Sequence, residues 1–597
     1  MRPAPRLLAA AFLCLAAATP AHAATVTRVD IRGLDEAMTT NVRVSLSLVD
    51  AIGKDVSGRR LTYLVREAEA ETREALEPFG YYSPQIDVQR SNGEDTTAVT
   101  ITVVPGEPVW VRDSHVAIDG EGGEDRYLKQ ELDVFAPQPG AIFDHGIYEA
   151  SKTRITRRLA ERGYFDADFA QRRVEVTRAD NAADIDLVWA SGERYDMGRI
   201  SFAQTPTHII RGELLDKLVY WDEGSYYHQG KLDRLRKSLV GLDYFSRIDV
   251  EPQPENANQL PATDHRVPVQ VTLTPAKRSI YTAGVSYGTD SGGGVRLGTE
   301  RRYLNSRGHK ALAQVDYAER RKTLTLQYRV PAFAWLDGWY TASLQAADEQ
   351  TDYLDSRRVE FVASRSGEIN SHLTAIASLH LLRERWAYAG DIDHPAYRYA
   401  TFSFPSLRAE YIDADDRLYP RNGLGGSLEL RGGVKGAGSD ANFAQLHARA
   451  SWFKGLGAHD RLIVRGQLGH TFTDALVEIP PSLRFYAGGD RSIRGYNYRE
   501  VGPRIAATSG RGAFALGAKS VITASTEVEH YFTPQWGMAA FVDSGSAFDG
   551  SRPDWRTGVG VGLRWRSPVG PVRVDIAHGL DRPDSAFTLH LNIGADL

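Results

Sequence analysis

Cysteine is nearly absent: among 597 residues the only one is Cys14, and it sits in the N-terminal leader. A mature chain lacking it forms no disulfide and offers no thiolate to a metal. The leader has a cationic start (Arg2, Arg6), an apolar run from Leu7 to Ala18 and the small-x-small site Ala21-His22-Ala23. These are the marks of a secretory signal, residues 1–23, and the exported chain is expected to start at Ala24. Beyond it no run of about 18 apolar residues occurs, so no helix is expected to cross a membrane. Excess positive charge is missing as well. Lys plus Arg number 71 against 76 Asp plus Glu, a formal net of −5, so nucleic acid is not an expected partner.

Motifs of covalent chemistry are also wanting. Asp543-Ser544-Gly545 lacks the G-x-S-x-G elbow of a serine hydrolase. GGGVRLG at 292–298 has no following helix or α/β context for a dinucleotide, and no G-x-x-x-x-G-K-[ST] loop is present. The 16 histidines include no HExxH pair. No enzyme, cofactor or metal site is expected.

What the chain does have is repetition, then alternation. GYYSPQI (80–86), GYFDADF (163–169) and DYFSRID (243–249) place Tyr81, Tyr164 and Tyr244 at spacings of 83 and 80. Each follows an amphipathic segment, around 61–77, 147–162 and 231–241; Leu232, Leu235, Leu239 and Leu242 fall on one helical face. Earlier helices are expected near 36–52, 126–135 and 208–219. With flanking strands each unit reads β-α-α-β-β, giving modules at 24–105, 106–192 and 193–274. Small mixed sheets covered on one face by two helices leave edge strands open to another chain's strand. A rigid spacer is the plainer alternative.

From residue 275 to 597 the predicted helices vanish. In TLTLQYRV (323–330) Leu324, Leu326, Tyr328 and Val330 share one face, and Thr325, Gln327 and Arg329 the other. In GVGVGLRWR (558–566) Val559, Val561, Leu563 and Trp565 oppose Gly560, Gly562, Arg564 and Arg566. Val572, Val574 and Ile576 then oppose Arg573, Asp575 and Ala577; the tail sets Phe587, Leu589, Leu591 and Ile593 against Thr588, His590, Asn592 and Gly594. An apolar face rich in Tyr and Trp opposite a charged one fits lipid outside and water inside, a transmembrane antiparallel β-barrel. At roughly 20 residues per strand and turn the segment holds roughly 16 strands.

Inside this barrel lies LRFYAGGDRSIRGYNYRE (483–500), whose Gly488, Gly489 and Gly495 mark a loop. With its Arg494-Gly495-Tyr496, with FVDSGSAF (541–548) and with DRLYPRNG (416–423), the chain resembles the outer-membrane insertase superfamily that carries periplasmic POTRA modules. Three modules, the SIRGY form and the ending IGADL look most like its translocation and assembly module (TamA) branch. The resemblance implies that the loop folds into the lumen and that Arg494 meets carboxylates on the inner wall. Glu527 and Asp543 map best as partners; Glu529, two residues along the same face as Glu527, is the ambiguity. The residues alone leave Arg494 open as one lumen arginine among many.

The function implied is assembly or secretion of β-barrel clients, autotransporters among them, at the outer membrane of a Gram-negative bacterium. A barrel opening between its first strand (281–288) and last (587–594) offers an incoming strand a temporary hydrogen-bonding edge. Gly284, Gly288 and Gly594 are expected to weaken that seam. The implied partners are unfolded β-barrel clients, outer-membrane lipids and an inner-membrane-anchored TamB-like protein spanning the periplasm. Two alternatives stay open: a two-partner-type secretion pore working through the lumen, and the outer-membrane anchor of a lipid-transfer bridge.

Overall fold

The computed structural model describes residues 23–92, 96–257, 265–288, 292–333, 337–351, 354–388, 396–490, 492–506, 513–567, 570–581 and 587–593. Most of the leader, Gly594 and the terminal Ala595-Asp596-Leu597 lie outside them.

The first module runs β1 (Ala23–Arg32), α1 (Glu36–Ser45), β2 (Asp55–Ser57), α2 (Gly58–Leu76), β3 (Gln85–Asn92) and β4 (Thr96–Val104). The second has β5 (Trp110–Asp119), α3 (Arg126–Asp133), α4 (His145–Glu161), β6 (Asp168–Thr177) and β7 (Ala182–Ala190). The third has β8 (Asp196–Gln204), α5 (Gly212–Asp216), α6 (Gln229–Leu242), β9 (Phe245–Pro252) and β10 (Arg266–Pro275). Sheet orders β2-β1-β4-β3, β5-β7-β6 and β8-β10-β9 place the last strand of each module between the other two of its β-α-α-β-β unit. β1 runs parallel to β4, and β5 to β7. Parallel neighbours need a crossover, which the helix pair supplies. In α2, Ser57 caps the first turn by accepting from Arg60 N, while Leu61, Leu64, Ala68 and Ala75 line the buried stripe. The first helix of each module is shorter than its apolar pattern suggests: α1 stops at Ser45 and α5 spans only Gly212–Asp216.

The three repeat motifs share a backbone device. Gly80, Gly163 and Asp243 follow the long helices at φ +87°, +94° and +55°, the left-handed geometry that ends a helix and turns the chain into the next strand. Just beyond, Tyr82 of the first module bonds His145 of the second, with Oη 2.6 Å from Nε2. Burial pushes the Tyr82 phenol up to about 12, so its O–H donates to the neutral ring. Burial also holds the His145 pKa below its ordinary value, against the opposing pull of Glu77, Asp144 and Glu149. A histidine pKa lowered by folding stabilises fully above the unfolded value, and that contribution is lost as pH falls. Melting of the intact chain followed from pH 8 downward should therefore show the first two modules loosening below about 6.5. His145→Gln should flatten that dependence; an unchanged pH profile would remove the role assigned to the ring.

The barrel is one antiparallel sheet of 16 strands. Its first six are β11 (Ser279–Gly288), β12 (Gly292–Arg301), β13 (Lys310–Ala318), β14 (Arg321–Ala332), β15 (Gly338–Gln350) and β16 (Leu354–Glu368). Five follow: β17 (Leu373–Tyr388), β18 (Arg398–Ala414), β19 (Gly423–Gly433), β20 (Phe443–Leu456) and β21 (Asp460–Phe472). After a long loop that includes the small hairpin β22 (Arg504–Ala506) and β23 (Ala513–Ala515), the wall resumes. It ends with β24 (Ser520–Tyr531), β25 (Trp536–Phe548), β26 (Arg556–Ser567), β27 (Gly570–Gly579) and β28 (Thr588–Ile593).

The alternation read from sequence sets the two faces. Leu324, Leu326, Leu379, Leu381, Val542, Val561 and Leu563 stand exposed on the outer face. Tyr281, Tyr340, Tyr411, Trp452, Trp536 and Trp565 ring its lower end and Tyr317, Tyr399 and Phe472 the upper, as at the two interfaces of a bilayer. The inner face carries buried charge, including Glu384, Arg461, Glu527, Glu529, Asp543, Arg564 and Asp575.

By internal packing the chain separates into two units: 1–201 with 221–234 and 250–270, and 202–220 with 235–249 and 271–597. Within the second, third-module segments seat on the lower barrel turns. Tyr244 donates to the Gly308 carbonyl, Arg302 pairs with Asp243 at 2.9 Å, and Tyr220 donates to Asp337.

Candidate functional site: the arginine clamp in the lumen

The loop from β21 to β24 turns back inside the barrel and delivers Arg494 to the wall. The Arg494 side chain is 4% exposed. Its Nε and Nη2 donate to Asp543 at 2.7 and 2.9 Å, and its backbone N–H donates to the same carboxylate at 3.0 Å. Nη1 donates to Glu527 at 2.8 Å and to Asp575 at 3.0 Å. Cζ lies 3.3 Å from the centre of the Phe541 ring. The planar guanidinium can serve a bidentate carboxylate and two others at once, which a lysine ammonium cannot match in geometry.

Three carboxylates around one cation need further positive charge. Arg564 supplies it, donating to Glu527 at 2.8 Å, Glu529 at 3.0 Å and Asp575 at 2.6 Å. Arg465 reaches Glu527 at 3.3 Å. Of the carboxylates that the resemblance implies, Glu527 and Asp543 both accept from Arg494. Glu529, the ambiguous candidate, is placed differently: its carboxylate accepts from Arg461 at 2.6 Å and from Tyr419 at 3.1 Å as well as from Arg564, and none of its described bonds is to Arg494. Glu529 lies two residues nearer the module end of β24 than Glu527. There Tyr419, from the DRLYPRNG turn, enters the lumen between the guanidiniums of Arg461 (3.8 Å to the ring) and Arg566 (3.7 Å). Asp575 and Arg564 are the members not singled out from sequence, although the alternation of β26 and β27 had already put both on the charged face.

Glycines make room for the loop. Gly495, at φ +92°, lies so close to β27 that a Cβ there would stand 2.7 Å from Gly579 N. A Cβ on Gly558 of β26 would fall on the Arg494 carbonyl oxygen. Gly558→Ala should therefore lift the loop without changing a charge, at a cost of about 1–3 kcal/mol for overpacking. Limited proteolysis within 483–500 reads the result; a loop as protected as in the parent would show that the close fit is not needed.

The same loop grips the last strand. Gly495 N–H donates to His590 Nε2 at 3.1 Å, Thr588 Oγ1 donates to the Gly495 carbonyl at 3.4 Å, and Asn592 Nδ2 donates to Asp490 at 2.7 Å. Tyr496 Oη meets Asp581 at 3.2 Å. Among the proposed seam residues, Gly284 pairs with Arg296 and Gly288 with Gly292 in unbroken register. Gly594 lies outside the described residues. The ladder runs continuously from β11 to β28. The two end strands approach one another, yet no ladder joins them among the described residues. Beside the loop lies a chamber of about 760 Å³ lined by Arg449, Arg465, Arg494, Arg573 and Asp575.

A chain of serial β-α-α-β-β modules ending in a 16-stranded barrel whose lumen holds an Arg-Gly-Tyr loop defines a class: barrels of the outer membrane that carry modules in the periplasm. Comparison with known proteins makes this specific. The Omp85 superfamily domain matches residues 304–596, POTRA domain TamA domain 1 matches 28–105, and the POTRA family described as surface antigen variable number repeat matches 112–188. Residues 304–596 thus match an Omp85 superfamily domain, preceded by segments that match POTRA domains. It is 22% identical over 581 residues to the outer membrane protein assembly factor BamA of Nitratidesulfovibrio vulgaris, covering 93% of this chain and 70% of the relative. It is likewise 22% identical to BamA of Neisseria meningitidis, covering 84% and 69%. The crystal structure of BamA from Haemophilus ducreyi lacking POTRA domains 1–3 superposes with a TM-score of 0.63 at 15% identity, covering 81% of this chain and 99% of that one. The protein resides in the outer membrane with its N-terminal modules in the periplasm.

Proposed function

We propose that this protein promotes the assembly or secretion of β-barrel clients, autotransporters among them, by opening sideways between β11 and β28. The observation that carries this reading is the break in the hydrogen-bonded ladder between those two strands among the described residues. A strand in a bilayer must have its backbone amides paired. An edge exposed at the seam templates the first client strand, which then releases as the client closes on itself. The TamA-type first POTRA match and the assembly-factor names of the relatives support this role.

The periplasmic modules offer edge strands to clients and to an inner-membrane-anchored TamB-like partner. The chain performs no covalent chemistry on this reading; client folding drives the cycle. A pore working through the lumen is disfavoured by the loop, which ties the interior to β24, β25, β27 and β28.

The discriminating experiment compares a deletion strain with its parent. Selective loss of particular barrel proteins from the outer membrane, with lipid asymmetry intact, is the expected result. Lost lipid asymmetry with an unchanged complement of barrel proteins would replace this reading with the lipid-bridge anchor.

A further inference from the structure

In its surface half the outer face of the barrel carries basic residues on one side only. Strands run upward from the module end, so the hairpins β13–β14, β15–β16 and β17–β18 close at the cell surface. In the surface half of the outward face, β14, β16 and β17 present Lys322, Arg357, Arg383 and Arg385. From β18 round to β28, the described outward positions at that level carry no lysine or arginine. Charge on a lipid-facing surface is costly at the bilayer midplane and tolerated close to the interface, where headgroups can meet it.

The four cations are arranged as a group. Arg357 and Arg385 are direct cross-strand partners, and Asp348 sits between Lys322 and Arg357 in the same row. Like charges directly opposite one another destabilise a sheet. Local carboxylates answer in part: Asp348 at 3.2 Å from Arg357 and Asp355 at 3.9 Å from Arg385. Arg383 has the Thr401 hydroxyl at 2.9 Å, and Arg385 Nε is buried without a hydrogen-bond partner among the described residues. Below them a groove of about 560 Å³ crosses the wall, floored by Val315, Leu324, Ala346 and Val359. Tyr317 and Tyr399 flank it at the level of the upper aromatic ring.

We infer that this groove binds a phosphate-bearing lipid of the outer leaflet, acyl chain along the apolar floor and phosphate against the arginines. Guanidinium groups take phosphate oxygens in pairs, and the aromatic level is where headgroups lie. The leaflet follows from the periplasmic placement of the modules; the site is independent of whether the seam opens.

The test uses the full-length protein in phosphatidylcholine nanodiscs doped with diphosphoryl lipid A, with bound lipid read by native mass spectrometry. The parent should retain the lipid, while a dephosphorylated form and inorganic phosphate should not displace it. K322Q/R357Q/R383Q/R385Q should weaken retention at least about tenfold, since each basic residue near a membrane surface adds appreciably to anionic-lipid affinity. R301Q/R365Q, which removes outward arginines at the periplasmic end, should leave retention unchanged. Equal retention of the dephosphorylated lipid, full displacement by inorganic phosphate, parent-like binding by the quadruple variant, or equal damage from R301Q/R365Q would each overturn the inference. Should the quadruple variant fail to insert, the comparison of phosphorylated with dephosphorylated lipid on the parent decides alone.

Discussion

Arg494→Ala should release the lumen loop and abolish client assembly while the 16-stranded wall still forms. The substitution leaves Glu527, Asp543 and Asp575, all buried, without the cation that all three share. Removing one partner of a buried ion pair costs about 3–5 kcal/mol, because the remaining charge stays desolvated. That penalty falls on the docked loop, since undocking lets water reach the carboxylates; the wall keeps its ladder. Protease cleavage within 483–500 should rise sharply, whereas the heat-modifiable migration of the folded barrel in gels should persist. Arg494→Lys should fall between the two, retaining charge but not the bidentate grip on Asp543. Parent-like protease resistance and client assembly in Arg494→Ala would show that the clamp has no such role.

Locking the seam should have an equally large effect by a different route. The only cysteine is Cys14, so cysteine pairs drawn from 281–285 and 588–592 introduce the only thiols beyond that position. Oxidation should stop client assembly, and reductant should restore it, because a barrel that cannot part at β11 and β28 offers no edge. Single-cysteine controls should stay active in both states. Full activity in a quantitatively crosslinked barrel would rule out lateral opening and leave passage through the lumen to be tested by conductance.

Much of this architecture is legible in the chain itself. The recurring Gly-Tyr and Asp-Tyr motifs announce three modules because each marks the same left-handed exit from a helix. The two-residue alternation from 275 onward gives the barrel and the side each residue faces. It also put Glu527, Asp543, Arg564 and Asp575 on the inside. What alternation does not give is height. Which residues lie level across non-adjacent strands depends on strand tilt and stagger, which no single strand encodes. Alternation alone therefore does not separate Glu529 from Glu527 as the partner of Arg494, nor bring Asp575 level with it. The exterior cations are hidden in the sequence for a related reason: Lys322, Arg357, Arg383 and Arg385 lie on three strands and form a cluster only in register. The placement of His590 against Gly495 was hidden in the same way, since it joins residues 95 positions apart.

The hold of Thr588, His590 and Asn592 on the loop makes the interior and the rim of the barrel a single thermodynamic system. An incoming segment that peels β28 away must also give up those three contacts, and so weakens the loop's seat. By reciprocity, docking the loop raises the affinity of β28 for its resting place by the same factor as seating β28 favours the docked loop. Arg494 is far along the chain from the last strand, yet its substitution is a lever on how readily the wall parts. Measured side by side, loop protection and seam accessibility should rise and fall as opposites across every variant of this cluster.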